Sequence, residues 1–164
     1  MAIFTIHGAR GSAPSTEHSC NRYGGATSCF SLAAKHGLIV LDAGTGIMAL
    51  GEHLARKTHI PPITMLFTHI HLDHVAGMPL FKPFYRRDAR ITIMIPKLPK
   101  EKWDQNLARL FAPPFWPIAL PDCGAKIKFQ TLPEHPFKIN GITIRHTRLW
   151  HTQTCLAYRL EAGA

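Results

Sequence analysis

The stretch Thr68-His69-Ile70-His71-Leu72-Asp73-His74 constrains this chain more than any other. Four metal-capable side chains, His69, His71, Asp73 and His74, fall within six positions. They follow Ile63-Thr64-Met65-Leu66-Phe67, a short apolar run bounded by Pro61-Pro62 that reads as a buried strand. A strand end can aim several side chains at one point. His69 and His71, two apart, share one side of an extended segment, and Asp73 and His74 face a second point as the chain turns. Imidazole and carboxylate are zinc-type ligands, and an ion with an open position makes a hydrolytic nucleophile from water at about pH 7. The chain has 11 histidines, so a lone His-x-His would carry little weight. Three His and one Asp directly after an apolar strand carry more.

The remaining elements are arranged around that strand. Residues 2–6 read as a first strand, broken by Gly8, Gly11 and Pro14 into a loop. Arg10 in this loop is a candidate contact for an anionic substrate, with a bracing bond to a carboxylate as the alternative. Runs 27–34 and 37–42 read as a hairpin through Lys35-His36-Gly37. The second run ends at Asp42, before Gly44-Thr45-Gly46; those glycines lack the Lys-Ser/Thr sequel of a phosphate loop. Ile47, Leu50 and Leu54 mark an amphipathic helix over about 46–57. A short helix over 74–80, a strand around Ile91-Ile93-Ile95 and a helix within 99–111 follow. Residues 126–132, 141–148 and 157–161 read as further strands. Eight basic residues against three acidic ones over 82–109, interleaved with Phe81, Phe84, Tyr85 and Trp103, suit either nucleic acid or an ordinary solvated face. Phe111–Pro117 is an apolar, proline-broken loop that suits a pocket wall. His18, His135 and His146 read as loop or surface histidines.

Composition bounds the partners. With 164 residues and 46% hydrophobic content the chain is expected to be one domain, residues 1–164, with a real core. No apolar run is long enough to span a membrane, and the N-terminus lacks a signal-peptide pattern. Four scattered cysteines without a C-x-x-C pair suit a cytoplasmic protein with reduced thiols. A net charge of +9 favours a small anionic substrate, with nucleic acid as the alternative partner.

The motif Thr68–His74 resembles the T-H-x-H-x-D-H signature of the metallo-β-lactamase superfamily. His7–Pro14, Arg22–Cys29 and Leu41–Gly46 resemble its branch near ribonuclease Z and the cyclic-nucleotide phosphodiesterases. The resemblance implies an α+β fold, a four-layer αββα sandwich, here short at its C-terminal end. It implies one or two zinc ions, or manganese in their place. His69, His71 and His151 would hold the first, and Asp73 and His74 the second. Asp42 would orient a ligand histidine from beneath, and Asp73 would also serve catalysis by orienting water. The chain departs from the family pattern at Ala26, where Asn is usual, and at Trp150-His151-Thr152, where N-H-P is usual. Within residues 1–164 no counterpart of the pattern's bridging aspartate and last histidine is expected. The implied activity is metal-dependent hydrolysis of phosphodiesters, such as cyclic nucleotides or RNA ends. The alternatives are a β-lactam or thioester substrate, or a catalytically weak protein that binds a nucleotide or nucleic acid. A second sheet lacking strands and its covering helix is expected to expose apolar surface, which either the rest of a longer polypeptide or a homodimer would bury.

Overall fold

The computed structural model describes residues 2–20, 22–98 and 100–163. Six strands form the larger sheet in sequence order: β1 (Ile3–Gly8), β2 (Cys29–Ala34), β3 (Gly37–Leu41), β4 (Ile63–Leu66), β5 (Arg90–Ile95) and β6 (Lys126–Thr131). β1, β2 and β3 pair antiparallel, and β3 to β6 pair parallel. Parallel neighbours need crossovers. Helix α1 (Ile47–Ala55) bridges β3 to β4, and α2 (Leu72–Val75) lies between β4 and β5. Helix α3 (Trp103–Arg109) lies between β5 and β6. A second sheet of three antiparallel strands follows: β7 (Phe137–Ile139), β8 (Ile142–Leu149) and β9 (Cys155–Ala162).

The apolar runs of β3 and β4 are buried on both faces, which is why they read as continuous rather than alternating. One face sends Leu38, Val40, Ile63, Met65, Ile91 and Ile93 under the helices, against Ile47, Leu50 and Leu54 of α1 and Trp103 and Leu107 of α3. The other face sends Leu32, Ile39, Leu66 and Met94 against Ile142, Ile144 and Leu156 of the second sheet. The described residues therefore build three layers, helices on sheet on sheet, of the expected four-layer sandwich. The chain is a mixed α/β protein of the expected type.

Several details differ from the sequence reading. The helix expected over 74–80 starts earlier, at Leu72, so Asp73 and His74 ride on its first turn rather than on a loop; a separate turn spans Met78–Leu80. The helix expected within 99–111 is Trp103–Arg109, and residue 99 lies outside the described residues. β7 was not expected. It is only three residues long, and it joins β8 through Asn140-Gly141, with φ of 51° and 84°, the two-residue turn that those residues favour. The aromatic residues interleaved with the basic ones agree with core packing and not with a stacking platform: Phe81, Phe84 and Trp103 are buried, and Trp116 Nε1 donates to the Tyr85 hydroxyl at 2.8 Å.

Apolar exposure on the outer face of the second sheet is also corrected. That face carries Arg145, Arg159 and Glu161, with guanidinium–carboxylate distances of 3.3 and 2.9 Å. Among the strands, exposed large apolar side chains lie mainly on β1, at Ile3, Phe4 and Ile6, with Leu149 at the end of β8. Among the described residues, no helix is long and apolar enough to cross a membrane.

Candidate metal centre

The site lies beyond the carboxyl ends of the parallel strands β3 and β4, the end of an open α/β sheet where ligands characteristically bind. β3 ends at Leu41, and Asp42 follows with φ of 58°, a left-handed conformation that a short polar side chain tolerates. Asp42 is 2% exposed, so its carboxylate must be satisfied internally. Thr68 N donates to Oδ1 at 2.8 Å, Thr68 Oγ1 donates to Oδ2 at 2.9 Å, and His74 Nδ1 donates to Oδ2 at 2.8 Å.

These bonds set the tautomers. The single hydroxyl proton of Thr68 is committed to Asp42, so its oxygen can only accept from the His69 Nδ1–H, 3.0 Å away. His69 and His74 both therefore carry their proton on Nδ1 and turn the Nε2 lone pair outward. A neighbour that fixes the ring orientation of a metal-ligand histidine in this way is a recurrent device.

His69 is buried, and its ring stands 4.7 Å from those of both His71 and His151. One ligand atom from each of His69, His71 and His151 can be chosen so that all lie within 4.8 Å of one another. His71 Nδ1 and His151 Nε2 are 3.2 Å apart. Two nitrogens bound tetrahedrally to zinc at their usual bond lengths stand about 3.4 Å apart, so the donor set fits such an ion. The pKa of His69 is lowered to about 4, by burial first and then by His74, His71 and His151. The ring is thus held neutral, the form that ligates metal.

Asp73 and His74 form the second group. Asp73 Oδ2 accepts from the Ser12 N–H at 2.8 Å and lies 3.5 Å from His74 Nε2. Burial alone would raise the pKa of Asp73, but the Ser12 amide and His74 outweigh it and hold the carboxyl below its ordinary value. For His74 burial works downward, and the Asp42 bond outweighs it and raises the pKa. Helix α2, which carries both, is clamped to the turn after Asp42 by Ala43 N→His74 O at 2.7 Å and Gly77 N→Ala43 O at 2.9 Å.

The structure thus brings His69, His71 and His151 together, places Asp73 and His74 beside them, and puts Asp42 beneath. Arg10 is exposed and bonds within its own loop, to Ala13 O at 2.8 Å and Cys20 Sγ at 3.1 Å, rather than to a carboxylate. His146 lies apart, with Nε2 2.7 Å from Pro133 O. Sequence reasoning assigned no role to Thr68, although it stands in the motif, and none to the Ser12 amide, which no side-chain pattern could reveal. A cavity of about 890 Å³ lies elsewhere, lined by β1, by the start of β3 and by α1, and by none of these site residues.

A family model described as the β-lactamase superfamily domain matches residues 38–164. The chain belongs to that superfamily. It is similar in fold to the metallo-β-lactamase fold protein YhfI from Bacillus subtilis, at 19% identity and a TM-score of 0.68, covering 100% of this chain and 60% of that one. It is similar to a diphosphatase of the PhnP family at 16% identity and a TM-score of 0.71, covering 98% of this chain and 62% of that one. The short form of human tRNase Z gives 16% identity and a TM-score of 0.63, covering 99% and 64%. The chain therefore spans less than two thirds of the length of these structures. No curated protein matches it significantly.

Proposed function

We propose that this chain carries the first metal site of a metal-dependent hydrolase acting on phosphodiesters. The convergence of the imidazoles of His69, His71 and His151 on one point, with His69 held neutral and Asp73 ionised beside them, carries this reading. Zinc, or manganese in its place, would be held there, and such an ion supplies a nucleophilic water at about neutral pH and polarises a phosphoryl oxygen.

The chain's own residues do the remaining work. Asp42 and Thr68 hold the proton of His69 on Nδ1, away from the ligand side. Asp73, fixed by the Ser12 amide, presents a carboxylate that can orient a water or join His74 at a second ion. The net charge of +9 favours an anionic substrate. A diphosphatase and a tRNase Z among the proteins of similar fold support phosphate chemistry.

The test is hydrolysis of bis-p-nitrophenyl phosphate and of cyclic nucleotides by purified protein supplied with zinc or manganese. Turnover should require the metal and should fall at least about a hundredfold in His69→Ala, because the variant loses a ligand to the ion that activates the water. Equal rates for wild type and variant would refute the proposal.

A further inference from the structure

His151 is held differently from His69 and His71. Those two leave a buried strand, whereas His151 lies on the loop 150–154 that joins β8 to β9 after the closing pair Leu149↔Cys155. His151 is exposed, and its neighbour Trp150 is 99% exposed. A hairpin loop with so little packing of its own samples several arrangements unless something ties it down.

Two ties exist. At the strand side, Leu156 N donates to Thr68 O at 2.7 Å, joining β9 to the residue before His69. At the loop side, Thr154 Oγ1 donates to Glu101 Oε1 at 2.6 Å. Glu101 is itself pinned, because Trp103 Nε1 donates to its Oε2 at 2.9 Å. Trp103 is 1% exposed and belongs to the main core. The run from core indole to carboxylate to hydroxyl to loop is thus continuous. Burial would raise the pKa of Glu101, but the donors Thr154 and Trp103, with Arg148 nearby, outweigh it and lower the pKa. The acceptor is then an ionised carboxylate, whose hydrogen bonds are short and strong.

We propose that Glu101 and Thr154 are positioning residues that hold the 150–154 loop so that His151 meets His69 and His71. The inference rests on the metal-site reading above and adds to it the residues that preorganise the third ligand. A ligand loop held before the ion arrives loses less freedom on binding, so affinity should depend on the latch although neither residue touches the ion.

The test compares wild type with Thr154→Val, Thr154→Ser and Glu101→Gln. Thr154→Val keeps the shape and the backbone amide but removes the hydroxyl donor, while Thr154→Ser keeps that donor. Zinc affinity is measured by chelator competition, site geometry by the visible absorption of the cobalt(II) form, and loop order by amide hydrogen exchange of residues 150–154 in metal-free protein. Thr154→Val should lower zinc affinity about tenfold to a hundredfold, the range for residues that orient ligands. It should also alter the cobalt spectrum and speed exchange in the loop, with melting unchanged to within about 4 °C. Glu101→Gln should do the same more weakly, and Thr154→Ser should restore wild-type values. Wild-type affinity in Thr154→Val, or failure of Thr154→Ser to restore it, would overturn the proposal. Wild-type protein that takes up no zinc would instead defeat the metal reading, and loop exchange in the metal-free variants would still decide whether Glu101 and Thr154 hold the loop.

Discussion

Asp42→Asn is the sharpest single perturbation of the buried network. The amide has nearly the shape of the carboxylate and tolerates the left-handed backbone that Asp42 adopts, so geometry is preserved and chemistry changes. Its oxygen can keep the bond from Thr68 N now made to Oδ1 at 2.8 Å. Its nitrogen would replace Oδ2 and face Thr68 Oγ1 and His74 Nδ1, now at 2.9 and 2.8 Å, with two donors and no acceptor. Thr68 can turn its oxygen to accept. His74 can respond only by moving its proton to Nε2, which takes away the lone pair on the side of Asp73. All three bonds to a charged group become neutral ones. At about 2 kcal/mol for each charged bond and about 1 for each neutral one, the loss is about 3 kcal/mol. Against a total stability of about 5–15 kcal/mol the variant should still fold. Urea denaturation of the metal-free protein reads the energy, and nitrogen NMR of labelled imidazoles reads the tautomer. A stability within about 0.5 kcal/mol of wild type, with His74 still protonated on Nδ1, would refute the reasoning.

Two other outcomes follow from the same geometry. A Cβ at Gly77 would lie 2.2 Å from Gly44 O and 2.8 Å from Gly44 C, both backbone, so Gly77→Ala must push α2 away from the turn after Asp42. A loss of about 2 kcal/mol or more is expected in urea denaturation, and wild-type stability would show that the turn yields freely. The second outcome concerns pH. His69 has a folded pKa of about 4, below its ordinary 6.5, so its contribution to stability is complete above 6.5 and is lost as pH falls toward 4. His7 is shifted in the same direction and His74 in the opposite one, so the comparison must be with His69→Gln. Between pH 6.5 and 4 the metal-free wild type should lose more stability than that variant, and parallel curves would exclude His69 as the cause.

The sequence disclosed those parts of the fold that depend on neighbours along the chain. Leu38–Leu41 and Ile63–Leu66 read as buried strands because both faces of a central parallel sheet are covered, which leaves no polar alternation. The ligand set His69, His71, Asp73 and His74 was readable because one strand end and one helical turn carry all four. The contrary cases depend on what meets across the fold. Thr68 decides the tautomer of His69 only because β3 runs beside β4 and brings Asp42 within 2.9 Å. Glu101 and Thr154 are 53 residues apart, and neither pattern nor spacing links them. The polar outer face of the second sheet could have been read, since Thr143, Arg145 and Thr147 alternate with Ile142, Ile144 and His146 along β8. Expecting apolar exposure there came from the covering helix of the family pattern rather than from these residues. Local periodicity reports which face of an element is buried, and it is silent on which side chain arrives from elsewhere to satisfy a buried donor or acceptor. In the candidate site such arrivals are Asp42, the Ser12 amide and His151. His151 reaches it from the far end of the chain, on a loop whose order depends on a carboxylate that the motif does not contain.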